Sequence, residues 1–479
     1  MLMEGMAYFS SVKPVLLKTD ALIFMLLAVI IAFGAYARGK AYLRAPWRKV
    51  FSSRTGMVAA VVIVFYGTVA LLDSIHMREP LENKGHDGET FYSVEVISLL
   101  DLMLGPLKTQ VEKTYSAPFA THLYAKETVE LPDGSSARLY PRLEYGGAHL
   151  EDPQRDKGRD ILLRSLSGAG AGLLAWVALG ALFIWGMARR ARASFSVTLK
   201  QILGGRTAIP WHMMLYTAGV FLVLIAVIAS LAGHYHIFGT DKVGNDVLYQ
   251  AIKSIRTALV IGTLTTLVML PFALLFGIMA GYLRGWVDDV IQYLYTTLNS
   301  IPGILLIASA ILMLQVYIDT HPDLFETDAA RADMRLLFLC IILGVTSWTG
   351  LCRLLRGETM KMRAAEFVQA ASAFGVRHSR IMSRHLLPNV MHIVLITVVL
   401  DFSGLVLAEA ILSYVGVGVD PSMHSWGNMI NGARLEMARD PMVWWSLLAA
   451  FVFMFILVLA ANLFSDAVRD AFDPRTLSR

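Results

Sequence analysis

Two carboxylates, Asp401 and Glu409, lie inside one apolar run between Met391 and Ile411. An ionisable group at that depth is costly, which makes both candidates for a transport path or a proton relay. Asp401 stands nearer the middle of the run, where it can face a pathway and read a cationic group, or pair with a neighbouring chain. Ser403, Gly404 and Ala408 beside it suit close helix packing. Glu409 lies toward one end, where a hydrogen bond fixing the following loop is the plainer role. Pro271 and Pro302 interrupt other apolar runs and can kink a helix, either at a moving gate or as a static bend. His234-Tyr-His236 offers two imidazoles, but no cysteine or carboxylate stands at a useful metal-ligand spacing, and an interfacial anchor is the plainer reading. Gly168-Ala-Gly-Ala-Gly172 opens an apolar run, follows no strand and lacks the spacing of a phosphate-binding loop. The nucleotide-binding, zinc-protease and nucleophile-elbow motifs do not occur in the sequence. Cys340 and Cys352 form neither a disulfide framework nor a paired ligand set, and read as small core residues. The pattern favours a chain that acts within a membrane over one that makes or breaks bonds.

The elements that must hold these residues are apolar helices. Of the 479 residues, 56% are hydrophobic and 16% charged, with a mean hydropathy of +0.56. Soluble domains are about 45–50% apolar and about 25% charged. The excess falls in nine runs long enough to cross a hydrocarbon core of about 30 Å. They are Ala21–Tyr36, Met57–Ile75, Ser167–Met187, Trp211–Ala232, Thr257–Leu283, Val287–Leu314, Leu336–Cys352, Met391–Ile411 and Val443–Leu463. The first also resembles a cleavable signal, with Lys13 and Lys18 before it and small residues after it. The net charge of +5 fits loops beside an anionic leaflet rather than a nucleic-acid surface.

Lys and Arg in the short loops set the orientation. Arg38–Arg54 and Ala188–Arg206 are basic and contain no acid, and Arg353–Asn389 holds seven basic residues against Glu358 and Glu366. Alternating spans place all three on one side, the expected cytoplasm. The acidic Gln315–Arg335 loop, with Asp319, Asp323, Glu326, Asp328 and Asp333, falls on the other. The N-terminus is then outside and the C-terminus inside.

A long polar insert, His76–Arg164, carries 15 acids and 11 Lys/Arg. Its helical spacing of Val96, Leu99, Leu100, Met103, Leu104, Leu107 and Val111 is interrupted by Pro106. Glu127–Leu131, a Pro132-Asp133-Gly134 turn and Ala137–Leu143 read as a hairpin. It is expected to be a small extracytoplasmic domain packed on the spans, or a docking surface for a substrate-delivering protein.

In the basic loop, Phe367, Ala370, Ala371 and Phe374 fall at i, i+3, i+4 and i+7, giving one apolar stripe with Gly375 as its stop. A second short helix is predicted over Ser379–Leu387, ending before Pro388. The stripe either packs on the chain's own spans or enters a partner's groove.

The run Gln369-Ala370-Ala371-x-x-x-Gly375, with Leu387-Pro388 beyond it, resembles the "EAA" loop of ABC importer permeases. Gln369 stands where that motif has Glu, and His385 where it has an apolar residue; Glu366 offers a nearby charge. His236-x-Phe238-Gly239-Thr240-Asp241-x-x-Gly244-x-Asp246-Val247-Leu248, followed by Arg256-Thr257, is similar to a segment of dipeptide/oligopeptide-type permeases, with Asn245 where Arg is usual. Further matches are Gly281-Tyr-x-x-Gly285-Trp286-Val287-Asp288, Ala408-Glu409-Ala410-x-Leu412-Ser413-Tyr414-x-Gly416-x-Gly418, Ser425-Trp426-Gly427-Asn428-Met429 and Asp466-x-x-Arg469-Asp470-x-x-Asp473-Pro474-Arg475.

The resemblance covers about residues 212–479 and implies an all-α integral membrane protein. A six-helix permease core of the type I importer kind, residues 207–479 with its central part at 254–466, would follow three extra spans. These are two in 1–75 and one in 167–206, with a small extracytoplasmic α/β insert at 76–166. It implies a translocation pathway for peptides or similar small solutes in a bacterial inner membrane, with no cofactor on this chain. Two ABC ATPase subunits carrying ATP and Mg would dock at Glu366, Gln369, Ala370, Ala371, Gly375, Leu387 and Pro388. A second permease and an extracytoplasmic binding protein would complete the complex. Gly239, Thr240, Asp241, Gly244 and Asp246 would form an extracytoplasmic family segment, and Asp401, Glu409 and Pro302 are pathway or gating candidates. The competing readings are an ion-coupled secondary transporter using Asp401 or Glu409, and a non-transporting membrane scaffold.

Overall fold

In lipid, each backbone polar group must find its partner within its own segment, and a helix does this throughout its length. The computed structural model describes residues 12–84, 90–130, 136–325 and 327–472. Among them, nine helices are long and apolar enough to cross a membrane. The chain is a multi-pass membrane protein.

Strand β1 (Lys13–Val15) leads into α1 (Lys18–Arg38), a short α2 (Ala41–Ser52) and α3 (Arg54–Asp73). The polar insert then contributes β2 (His76–Arg78), β3 (Pro80–Lys84), β4 (Thr90–Tyr92), β5 (Ile97–Ser98), α4 (Leu99–Met103), α5 (Gly105–Thr109), β6 (Glu127–Glu130) and β7 (Ser136–Leu139). Next come α6 (Pro153–Ala191), α7 (Phe195–Leu203), α8 (Trp211–Ala232), α9 (Val247–Leu283), α10 (Trp286–Ser300) and α11 (Gly303–Thr320). The chain finishes with α12 (Asp328–Arg363), α13 (Glu366–Ala373), α14 (His378–Ile381), a π turn (Met382–Leu386), α15 (Leu387–Tyr414), α16 (Trp426–Glu436) and α17 (Trp445–Phe472).

The antiparallel order β1–β2–β5 joins the residues before α1 to the insert, so both lie on one side of the helices. The basic loop at 364–386 lies on the other. The expected helical stretch in the insert divides at Leu104 into α4 and α5, with Pro106 in the first turn of the second. The hairpin pairs Glu127 with Leu139; its Pro132-Asp133-Gly134 turn lies outside the described residues, as do Glu326 and Asp473-Pro474-Arg475.

Helices α9 and α12 form the most extensive packed pair, with α15, α17 and α3 around them. Cys340 and Cys352 are buried in this core. Helix α6 lies along α8, and the glycine run supplies the seam. A Cβ at Gly172 would come within 2.7 Å of Val223 Cα, so only glycine permits this approach.

Two expectations are corrected. Val287–Leu314 is not one span with a kink: α10 ends at Ser300, Ile301 is extended, and α11 begins after Pro302. Proline excludes its predecessor from the helical region, which turns the expected bend into a break. The helix after Gly375 does not stop before Pro388. It runs from His378 to Tyr414 through the π turn. Pro388 follows directly on the π turn, where the regular i→i−4 pattern is already interrupted, so its missing N–H is tolerated. The Asn389 side chain donates to the His385 carbonyl at 2.7 Å.

Buried charges fasten the N-terminal region to the core. Arg256, 5% exposed, donates to Asp20 at 2.5 Å and Thr19 at 3.1 Å, and lies 3.8 Å from Asp333. Lys253 joins Asp73 at 2.5 Å and Asp101 at 2.9 Å. Burial alone would raise the Asp101 pKa, but Lys253, the Ser98 amide and the Tyr249 hydroxyl pull it down to about 2.

Of the His234-Tyr-His236 pair, His236 is withdrawn from the surface, at 2% exposed. It is buried between two carboxylates, with Nδ1 2.8 Å from Asp246 and Nε2 3.4 Å from Glu112. Burial would depress its pKa; the two carboxylates outweigh that and raise it to about 9. Burial would likewise raise Glu112, but His236 and the amides of Glu144, Gly146 and Tyr145 bring it down to about 2. A raised histidine pKa stabilises fully below its ordinary value of 6.5, and that contribution fades as the pH rises toward 9. A depressed glutamate stabilises above 4.5 and loses its contribution as the pH falls toward 2. His236→Gln should therefore lower the thermal midpoint of the purified chain strongly at pH 6 and much less at pH 9. Removing one member of a buried pair costs about 3–5 kcal/mol. An equal loss at both pH values would contradict the assignment.

Candidate functional site

The extensively packed helices α9 and α12 both extend to the basic loop. There Asp288, in the first turn of α10, accepts both Nε and Nη2 of Arg356 at 2.5 and 2.7 Å. These hydrogen bonds hold the Asp288 pKa below the usual carboxylate range. The bidentate pair fixes α10 to α12 about two turns before the loop. Asp288 belongs to a motif visible in the sequence, whereas its partner lies 68 residues away with nothing local to mark it.

Helix α12 ends at Arg363, and α13 begins three residues later. The Gln369 side chain donates from Nε2 to the Ala364 carbonyl at 3.0 Å and closes this turn. A glutamate at neutral pH has no proton to give there, so the departure from the motif has a structural use. Helix α13 ends in a Schellman turn. The Gly375 amide bonds to the Ser372 carbonyl at 3.0 Å and the Val376 amide to that of Ala371 at 3.1 Å, with Gly375 at φ +71°. Val368 is 2% exposed, and Ala371 and Val376 pack on the same core.

The other side of α13 is open. Phe374 is 87% exposed and Phe367 46%, with exposed Ala370 between them. Of the predicted stripe, only Ala371 turns partly inward. Gly375 extends the open face, since a Cβ there would meet nothing within 4 Å. Glu366 is exposed at the start of α13, and Pro388 is exposed beyond the π turn, while Leu387 packs against the core. His385 lies half-buried with its ring 6.4 Å from that of Phe367. A cavity of about 640 Å³ beside the loop brings Arg284, Arg363 and His378 near Gln369. These residues form one surface that is apolar at its centre and basic at its edge.

The other candidates are separate from it. Glu409 is buried near the far end of α15, where it accepts from Ser413 at 2.7 Å and abuts Gly427. Asp401, on the same helix, is half-buried and makes no hydrogen bond or ion pair among the described residues. Leu400, Gly404, Leu407 and Ile411 form the exposed face beside it. Pro302 is exposed at the α10–α11 break.

Gly239, Thr240, Asp241, Gly244 and Asp246 are brought together on the insert side, packed on residues 112–119 of the insert. Thr240 donates to the Thr114 carbonyl at 2.8 Å and accepts from the Ser116 amide at 2.6 Å. Asp241 accepts the Val243 and Asn245 amides at 2.8 and 2.9 Å. Asp246 caps α9 through the Tyr249 amide. No group of three or more His, Cys, Asp or Glu positioned for a metal occurs among the described residues.

The turn at Gln369 can be tested by hydrogen exchange. Gln369→Glu removes a bond of about 0.5–1.5 kcal/mol. Amide exchange across residues 366–373 should accelerate about two- to tenfold; unchanged exchange would show that the turn does not depend on this bond.

The family described as "Binding-protein-dependent transport system inner membrane component" matches residues 273–478. The oligopeptide transport system permease protein OppC of Haemophilus influenzae is 27% identical over 269 residues, covering 56% of this chain and 79% of that protein. OppC of Mycobacterium bovis is 31% identical over 246 residues, covering 51% and 78%. The dipeptide transport system permease protein DppC of Bacillus subtilis is 27% identical over 240 residues, covering 50% and 69%. With a compact helical core, a protruding apolar loop and these relatives, the chain belongs to the family of binding-protein-dependent ABC importer permeases, whose members are the membrane-spanning transport subunits.

Proposed function

We propose that this permease carries peptides or similar small solutes and is driven by separate ATPase subunits docked on the Glu366–Asn389 loop. The exposed Phe367–Ala370–Phe374 face of α13 carries this reading. An apolar face outside the membrane needs a cover, and here the chain's own core is already filled by Val368, Ala371 and Val376 on the opposite side. The relatives' names supply the substrate class.

In this reading two ATPases, with ATP and Mg, dock on two permease subunits that enclose a path, and an extracytoplasmic binding protein delivers the solute. The loop lies in the cytoplasm, as do the basic 38–54 and 188–206 segments; the insert and the residues before α1 lie outside. The division of the chain into two N-terminal spans, an insert, a third span and the permease core from 207 follows the same assignment. This chain performs no bond chemistry. ATP-driven closure of the ATPase pair moves α13 and the π turn, and hence α12 and α15. Shifting the spans from 1:99 to 99:1 takes about 5.5 kcal/mol of preference for one state. Asp401, unpartnered within the chain, is suited to face the path or a neighbouring subunit, whereas Glu409 holds the α15–α16 connection.

Gly375→Asp tests the docking. Aspartate tolerates the left-handed conformation better than most residues, and its side chain enters open space, so the subunit should still fold and insert. Substrate-stimulated ATP hydrolysis by the assembled complex should fall at least tenfold. Unchanged hydrolysis would contradict docking at this loop. Solute uptake into liposomes by the permease without an ATPase would favour the ion-coupled alternative through Asp401.

A further inference from the structure

Helix α2, outside the matched residues 273–478, forms a surface that the transport reading leaves unused. Its sequence, AYLRAPWRKVFS, is amphipathic. Val50 is fully buried against Ala467, Val468 and Ala471 of α17, and the Trp47 ring meets Phe472 edge-on at 5.6 Å. Helix α2 is thereby held at the membrane end on the docking-loop side.

Between α2 and the first turns of α3 and α8 lies a groove of about 700 Å³. Trp47, Phe51, Ala60, Val61, Val64 and Trp211 supply most of its walls. The volume falls in the range of about 300–1,000 Å³ of small-molecule sites. Val64 is 66% exposed, so the groove opens outward between two spanning helices, toward lipid. The two tryptophans suit the boundary between hydrocarbon and headgroups.

Among the described residues, the only charged ones lining the groove are Arg44 and Arg48, exposed and one helical turn apart on the same face. Neither makes an ion pair among the described residues, in contrast to Lys253, Arg256 and Arg356, each held by at least one carboxylate. Apolar walls with two free guanidinium groups at the margin fit one chemistry: a long apolar tail with an anionic head. We propose that this groove binds an anionic phospholipid from the adjoining leaflet, one acyl chain lying along Val61 and Val64 and the phosphate held by Arg44 and Arg48. Guanidinium is well matched to phosphate oxygens.

The test uses the full chain in detergent micelles. Native mass spectrometry compares retained phosphatidylglycerol with phosphatidylcholine of identical acyl chains. The unmodified chain should retain phosphatidylglycerol preferentially. Arg44→Gln and Arg48→Gln should each reduce that preference about fivefold, and the double variant should approach parity. Arg44→Lys/Arg48→Lys should restore most of it. Ala60→Phe, which narrows the groove, should reduce retention of both lipids. Inorganic phosphate should not displace the lipid. A preference unchanged in the double Gln variant, retention unchanged by Ala60→Phe, or displacement by phosphate would each overturn the proposal. Equal elution volumes and thermal midpoints exclude misfolding as the cause of any loss.

Discussion

A charge removed from water needs an opposite charge or a strong set of hydrogen bonds, and in the apolar interior of this protein that requirement organises the insert side. Arg256 in α9 is met by Asp20 from α1, with Asp333 of α12 nearby. Lys253, less than one turn earlier, is met by Asp73 from the end of α3 and Asp101 from the insert. His236 is met by Asp246 and by Glu112 of the insert. In all three cases a cation from residues 236–256 meets at least one acid from the first 112 residues of the chain. Removing either partner would leave the other buried and unpaired. Helices α1 and α3 and the insert are thus joined to α9 by electrostatics as well as by packing.

On the opposite side the rule is reversed. The Asp288–Arg356 pair stiffens the ends of α10 and α12, and the Schellman turn at Gly375 sets the path of the chain. Beyond them, Phe374, Phe367 and Ala370 have no cover. The π turn before Pro388 matters because it keeps α14 continuous with α15. The helix therefore runs without interruption from the loop past Asp401. π turns of this kind are frequent at functional sites.

Much of this was legible in the sequence. Apolar runs set the spans, because length and hydropathy are local quantities. Gly375 was legible as a stop because glycine readily takes the left-handed position that ends α13. The exposed stripe was legible as a stripe, although periodicity alone could not say which way it faced. The Pro302 break could have been read from the restriction that proline places on Ile301. The ion pairs could not: Arg256 and Asp20 are 236 residues apart, and nothing local to either marks the other. Gln369 looked like a lost charge, while its use is the proton it donates to a carbonyl five residues back. Helix α2 was hidden because its basic residues and Pro46 resemble a loop, and its buried face is defined only by α17.

In the proposed function, the face of α13 is where the ATPase meets the permease. Both native cysteines are buried, so Phe374→Cys would introduce a thiol with far greater exposure. Cross-linking from that position with a short reagent that is thiol-reactive at one end and photoreactive at the other, in the assembled complex, is the most direct measurement. A cross-link to the ATPase subunit is expected, with a yield that changes on addition of ATP. A thiol at position 374 that reacts freely with a small reagent, yet forms no cross-link to the ATPase with or without ATP, would contradict it.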